Sequence, residues 1–167
     1  MNFLKRIATI FISTTILVIT LPVFIIIAII IIIDDGRPIL FKQKRVGKNN
    51  KIFLMYKFRT MKNNTPEIAT HLINNTNYMY TKSGPILRKY SLDELPQLLN
   101  IIQGEINFIG PRPALFNQDD LIKLRLEECI HTLTPGITGW AQVNGRDELS
   151  IIEKVEMDYF YLKNKSV

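Results

Sequence analysis

Residues 7–33 read IATIFISTTILVITLPVFIIIAIIIII, 27 positions without one charged side chain. About 20 apolar residues cross a bilayer core as a straight helix, so this run reads as a membrane element. It is too long for the apolar core of a signal peptide, and no small-residue cleavage site follows it. A buried core helix of a soluble protein is the bland alternative, but soluble helices this long and this apolar are rare. Pro22 lies near its middle, where proline removes a backbone donor and kinks or breaks a helix. Ser13, Thr14, Thr15 and Thr20 precede it, and their hydroxyls can satisfy freed carbonyls in lipid. Two geometries fit: a kinked single span, or a helix-break-helix that enters and leaves on one side. Lys5 and Arg6 flank one end, and Arg37, Lys42, Lys44, Arg45 and Lys48 follow the other. Positive charge at both ends favours the re-entrant form, and the larger cluster places residues 36–167 in the cytoplasm.

Outward from this anchor (residues 1–35), the remaining chain (36–167) reads as one cytosolic catalytic domain. The fold class is α+β and mainly helical, with one small β-hairpin. ILFKQKRV (39–46) and IFLMYKF (52–58) flank Gly47-Lys48-Asn49-Asn50, the pattern of two strands around a polar loop. Residues 62–82 suit a helix or a flexible excursion. Residues 92–102 carry an apolar pattern broken by Pro96, and helices are expected over 117–131 and 148–162. Gly110-Pro111-Arg112-Pro113 and Pro135-Gly136 through Gly139 read as loops.

The chain carries 21 Lys and Arg against 15 Asp and Glu, a formal +6. That balance suits polyanions: phosphates, nucleic acid or an anionic membrane face. The single cysteine, Cys129, excludes an internal disulfide and a cysteine metal cluster, and suits a reducing compartment. His71 and His131 are the only histidines, which makes a Ser-His-Asp triad or a histidine metal site a poor fit. Chemistry therefore rests on carboxylates, amines and guanidiniums. No Walker A or Gly-x-Gly-x-x-Gly pattern occurs.

The densest polar stretch is RKYSLDELPQ (88–97). Ser91 and Glu94 have the spacing of a capping box. Alternatively Pro96 takes the first helical position and leaves Asp93 and Glu94 in the entering loop. A carboxylate near a helix N-terminus is stabilised as an anion and can attack an electrophilic phosphorus. Its neighbour can hold Mg²⁺, whose hard oxygen ligands include substrate phosphates. Cations to offset developing phosphate charge are offered by Lys57, Arg59, Arg88, Arg112 and Arg146. Trp140, the only tryptophan, suits core, base stacking or an interfacial anchor.

Four segments together resemble the bacterial sugar transferases, the small monotopic phosphoglycosyl transferases. They are KFRTM (57–61), LRKYSLDELPQL (87–98), GPRP (110–113) and PGITGWAQVNGR (135–146), with DDGRP (34–38) and QKRVG (43–47) supporting them. The resemblance covers nearly the whole chain and implies transfer of a sugar-1-phosphate from a UDP-sugar to undecaprenyl phosphate, releasing UMP. It implies a covalent phosphosugar-aspartyl intermediate on Asp93, with Glu94 beside it at an Mg²⁺ site. Arg88, Arg112 and Arg146 match positions that hold phosphate or nucleotide; Lys57 and Arg59 are weaker matches, and Asp158 matches an acidic position, grouped with them as substrate-binding. It also implies an anchor re-entrant at Pro22, the bacterial inner membrane as location, and downstream glycosyltransferases as partners.

This chain departs from the family pattern at Ile10, where an Asp is common, and at Leu21-Pro22, where Ser-Pro is. Asn107 stands in place of Ser. Relatives continue into an apolar segment beyond Ser166-Val167, and the absence of a multi-span N-terminal domain resembles the short form of the family. Two other readings are an inactive membrane scaffold of a glycan-assembly complex and a membrane-bound nucleic-acid module. The adjacent anions Asp93 and Glu94 repel a nucleic-acid polyanion, so no nucleic-acid partner is expected.

Overall fold

A computed structural model of the chain describes residues 3–63, 65, 79–145 and 148–165. Most of 62–82, expected as helix or excursion, lies outside them, as does Arg146. The residues group into two compact units: Met1–Gln43 with Met55–Ile102, and Lys44–Leu54 with Gln103–Val167.

In the first unit, α1 (Phe3–Asp35) is 33 residues long and is long and apolar enough to cross a membrane. Ile19, Leu21, Ile25, Ile26 and Ile33, among many others, are exposed, which suits a lipid environment. The break expected at Pro22 is not a loop, because helix runs through it as one element. Thr9, Ser13 and Thr20 each donate to a carbonyl four residues earlier, at 2.8, 2.7 and 2.7 Å, but these are the carbonyls of Lys5, Thr9 and Ile16 rather than that of Val18, the one that loses its helical donor to Pro22. Ile10, Ser13, Leu17, Thr20, Phe24, Ile27 and Ile31 are among the less exposed positions, recurring every three or four residues along one face.

Both ends of α1 are tied to this same unit. Arg6 donates to the carbonyls of Ile101 and Ile102 at 2.8 and 2.6 Å, capping the C-terminal turn of α3 (Gln97–Gln103). At the other end Asp34 accepts from the backbone and hydroxyl of Ser83 at 2.7 and 2.8 Å. Asp35 accepts from Arg59. Between them Ile27 and Ile31 join Phe58 and Leu87 in a buried cluster, with Phe24, Leu92 and Leu95 packed against it.

The expected hairpin forms from β1 (Leu40–Val46) and β2 (Ile52–Phe58). A short 3₁₀ turn over 48–50 closes it, with Asn49 and Asn50 at positive φ, which asparagine tolerates better than most residues. Helix α2 (Gly84–Lys89) carries Arg88 and begins with Pro85 at its first turn. A Cβ at Gly84 would strike the Thr60 carbonyl, so glycine lets α2 dock on the segment after β2.

The second unit contains a sheet that the sequence reading took for loop. Strands β3 (Asn107–Ile109) and β4 (Gly136–Thr138) pair in parallel, Asn107 opposite Gly136 and Ile109 opposite Thr138. Cβ atoms at Gly136 and Gly139 would collide with Gly110, so the GPRP and PGITGW segments touch backbone to backbone. Helix α4 spans Asp119–Glu127, shorter than the expected 117–131; Cys129, at φ 56°, turns the chain into a 3₁₀ turn over 130–132. Helix α5 is one turn, Trp140–Val143. The final helix, α6 (Ile151–Asn164), opens on a capping box between Ser150 and Glu153. Ala114, Leu121, Ile130, Leu133 and Val155 form this unit's core.

Candidate active site

Asp93 and Glu94 lie in a 3₁₀ turn, Leu92–Glu94, that enters α3. The turn follows Ser91, which is left-handed (φ 54°) and makes no side-chain cap. The capping box expected from Ser91 and Glu94 therefore does not form; the entering-turn alternative describes the arrangement instead. Leu92 and Leu95 pack against the cluster of Ile27 and Ile31, so the turn sits on a floor supplied by the membrane helix. The carboxylates between those leucines are held in place by apolar contacts on either side.

Lys57, near the end of β2, pairs with Glu94 Oε1 at 2.8 Å, and both side chains are largely shielded from solvent. Asp93 is only 7 % exposed. Burial pushes its carboxyl above the ordinary range, the positive charge of Lys57 pulls it back, Glu94 pushes it up again and Arg88 pulls it down. Arg88 donates to the Tyr80 hydroxyl at 3.0 Å and lies over that ring, 5.2 Å from its centroid. The structure thus brings four expected residues into one electrostatic group: Asp93, Glu94, Lys57 and Arg88. A desolvated carboxylate amid two cations keeps its oxygens away from bulk water, and cations placed in advance suit an anionic phosphoryl group.

Among the described residues no group of three or more His, Cys, Asp and Glu side chains converges. An all-protein metal cage is thus not formed by them. Mg²⁺ is commonly held by one or two carboxylates together with waters and substrate phosphates, and adjacent Asp93 and Glu94 fit that donor set.

Arg59 has a different task from the phosphate contact expected of it. Its side chain is 5 % exposed. It donates to the carbonyls of Pro38 (2.7 Å), Asp35 (2.9 Å) and Gly36 (2.7 Å) and to the Asp35 carboxylate. Its guanidinium thereby fastens the end of α1 to the end of β2. Asn100, not anticipated, is fully buried and accepts from the Tyr56 backbone at 3.0 Å, linking α3 to the strand that carries Lys57. An Asn inside an apolar helical pattern was the available signal.

Arg112 and Asp158 belong to the second unit. Asp158 is 1 % exposed and accepts from Arg125 Nε and Nη2 at 3.1 and 2.6 Å. Burial raises its carboxyl, while the charge and hydrogen bonds of Arg125 oppose the shift. That placement is an internal ion pair rather than an open contact for substrate. Arg125 was missed, although it follows buried Leu121 by one helical turn and so lies on the packed face of α4. Trp140 is exposed and stacks on Phe160, with ring centroids 5.5 Å apart.

Comparison with known proteins places these features in a family. The chain resembles the sugar transferase EpsL of Bacillus subtilis (strain 168), 44% identical over 133 residues, 78% of this chain and 63% of that protein. It is 37% identical over 174 residues to the UDP-glucose:undecaprenyl-phosphate glucose-1-phosphate transferase of Escherichia coli (strain K12), covering 99% of this chain and 37% of that one. It is 35% identical over 153 residues to the UDP-N-acetylgalactosamine-undecaprenyl-phosphate N-acetylgalactosaminephosphotransferase of Aeromonas hydrophila, 87% of this chain and 36% of the relative. The chain thus spans under two thirds of EpsL and little more than a third of the other two. The family model described as Bacterial sugar transferase matches residues 1–167, and the chain belongs to that family.

Proposed function

We propose that this chain transfers a sugar-1-phosphate from a UDP-sugar to undecaprenyl phosphate, releasing UMP, by way of an aspartyl intermediate. The observation that carries this is the shielded Asp93 carboxylate beside Glu94 in the field of Lys57 and Arg88. An Asp93 oxygen attacks the β-phosphorus of the donor. The new O–P bond forms as the bond to the bridging oxygen breaks, and UMP departs with that oxygen and its electron pair. A phosphate oxygen of undecaprenyl phosphate then attacks the same phosphorus, freeing the Asp93 carboxylate. Both nucleophiles react as anions, so neither step needs a general base.

Lys57 orients Glu94, and Arg88 offsets negative charge gathering around the phosphorus. Arg112, held in the rigid 110–113 segment, and Arg146 contact the substrate's anionic groups. Bound at Asp93 and Glu94, Mg²⁺ would supply charge neutralisation at the donor's diphosphate.

We also infer that α1 enters and leaves the membrane on one side. A straight helix would hold the Arg6 and Asp35 Cα atoms about 43 Å apart. The route joining them through Ile101, Asn100, Tyr56 and Arg59 reaches roughly 45 Å only when every link is drawn out along one line. A bend at Pro22 relieves that demand, and positive charge at both ends agrees with a shared cytoplasmic face of the bacterial inner membrane. With Cys129 replaced by serine, single cysteines at positions 5 and 42 should react from the same face of sealed vesicles. Labelling from opposite faces would establish a spanning helix.

The activity is tested by UMP release with a panel of UDP-sugars, undecaprenyl phosphate and Mg²⁺. A donor labelled in its β-phosphate, given without acceptor, should leave label on Asp93. No UMP from any donor defeats the assignment. Full turnover with no trapped label at any pH replaces the two-step route with direct transfer.

A further inference from the structure

The segment 110–115, GPRPAL, is pinned along its length within the second unit. The Gly110 amide donates to Thr138 at 2.9 Å, and the Pro111 carbonyl accepts from Gly136 at 2.9 Å. The Arg112 carbonyl accepts from Arg125 Nη1 at 2.8 Å, and the Pro113 carbonyl from Arg45 Nη1 at 2.9 Å. Ala114 accepts from Val46 at 3.0 Å, and Leu115 from Gln118 at 3.1 Å. Five consecutive carbonyls, from Pro111 to Leu115, therefore each have a partner. Prolines at 111 and 113 fix φ on both sides of Arg112.

Two of those partners are side chains, and both are guanidiniums. Arg125 is fixed in turn: one Asp158 oxygen takes both its Nε and Nη2, leaving Nη1 aimed at the Arg112 carbonyl. Burying this pair is costly unless the geometry is good, and it stabilises less than apolar packing of the same volume often would. An ion pair whose carboxylate is sealed from solvent, with a further guanidinium donor pointed at a neighbouring loop, is better accounted for by what that donor holds.

We propose that Asp158 and Arg125 act as a positioning pair that presents Arg112 to a substrate phosphate, with Arg45 as a second brace on the same loop. The assignment rests on the reading of Arg112 as a phosphate contact. Neither Asp158 nor Arg125 touches substrate. Their effect is to remove freedom from the Arg112 backbone before substrate arrives, so that a phosphate meets an already ordered loop.

The test uses the full chain in detergent or nanodiscs and pairs two measurements. Arg125→Lys keeps the charge but cannot reach Asp158 and the Arg112 carbonyl together. It should speed amide hydrogen exchange in the 110–116 segment while α6 retains its protection. In the UMP-release assay it should lower kcat by roughly 10- to 100-fold with little change in KM. In an Arg112→Ala background the same substitution should cost almost nothing more, because its route of action is already gone. Asp158→Asn should give the same pattern more weakly, and Arg125→Lys serves where Asp158→Asn fails to fold. Wild-type exchange in 110–116 for Arg125→Lys, or losses that multiply in the Arg112→Ala background, would overturn the positioning role. If wild type releases no UMP, the activity reading fails by itself, while the exchange measurement still decides whether this pair holds the loop.

Discussion

Among the described residues each unit buries one aspartate, and the two are treated differently. Asp158 has its own cation: Arg125 gives it two hydrogen bonds within an enclosed pair. Asp93 shares its cations, since Lys57 is already bonded to Glu94, and both Lys57 and Arg88 act on Asp93 through charge. Burial raises both carboxyls. A carboxylate with a dedicated guanidinium is structural, because removing either partner strands a charge. One that is shielded and only partly compensated remains available to a substrate that brings its own electrophile.

The sharpest way to break this contrast is to neutralise each aspartate. Asp93→Asn should reduce UMP release by roughly 10⁴-fold or more, as loss of a covalent nucleophile does, without unfolding the protein. Its stability should differ from wild type with a definite sign. The native state holds the Asp93 proton more tightly than the unfolded chain, so wild-type stability falls as pH rises through the window above the ordinary carboxylate value. Asparagine lacks that loss. Melting in EDTA should therefore show Asp93→Asn at least as stable as wild type at neutral pH, with the advantage shrinking toward acid. A large drop in melting temperature at neutral pH would mean that Asp93 is a structural residue like Asp158.

Asp158→Ala should do the opposite, costing about 3–5 kcal/mol of stability by leaving Arg125 uncompensated. Denaturant unfolding reads that cost, and a change below about 1 kcal/mol would show that the pair is not a structural unit. Lys57→Met probes the shared cation. It should lower kcat about 100-fold and, by stranding the largely shielded Glu94, lower the melting temperature by less than Asp158→Ala does. The smallest effect belongs to a control outside both carboxylate sites: Ser150→Ala removes the cap of α6 and should cost about 1 kcal/mol with unchanged turnover.

Much of this was legible in the chain before its structure. The apolar run, the hairpin and the cluster around Asp93 are local patterns, and local patterns survive folding. What failed depended on partners distant in sequence. Ser91-x-x-Glu94 and Ser150-x-x-Glu153 have the same spacing, yet only the second closes a capping box. Ser91 is left-handed, and Glu94 is drawn to Lys57, 37 positions away. Arg59 and Asp158 were read as open to substrate because a charged residue in a motif looks the same whether its partner is a ligand or Asp35 or Arg125. Strands β3 and β4 were invisible because each is three residues long and lies among Gly and Pro, where turn signals dominate. Their pairing shows only once the glycines are seen to let two backbones meet.

The bonds at either end of α1 have a consequence for how the chain holds its apolar helix. A tail-anchored protein on a slack linker samples many heights above the bilayer. Here Arg6 grips the close of α3, while Asp34 and Asp35 grip the start of α2 and the end of β2. The apolar helix works as a bracket rather than a leash. The position of the Asp93 turn relative to α1 is set by those side-chain bonds and by the packing of Leu92 and Leu95 on the helix, so strain along the helix would be felt at that turn.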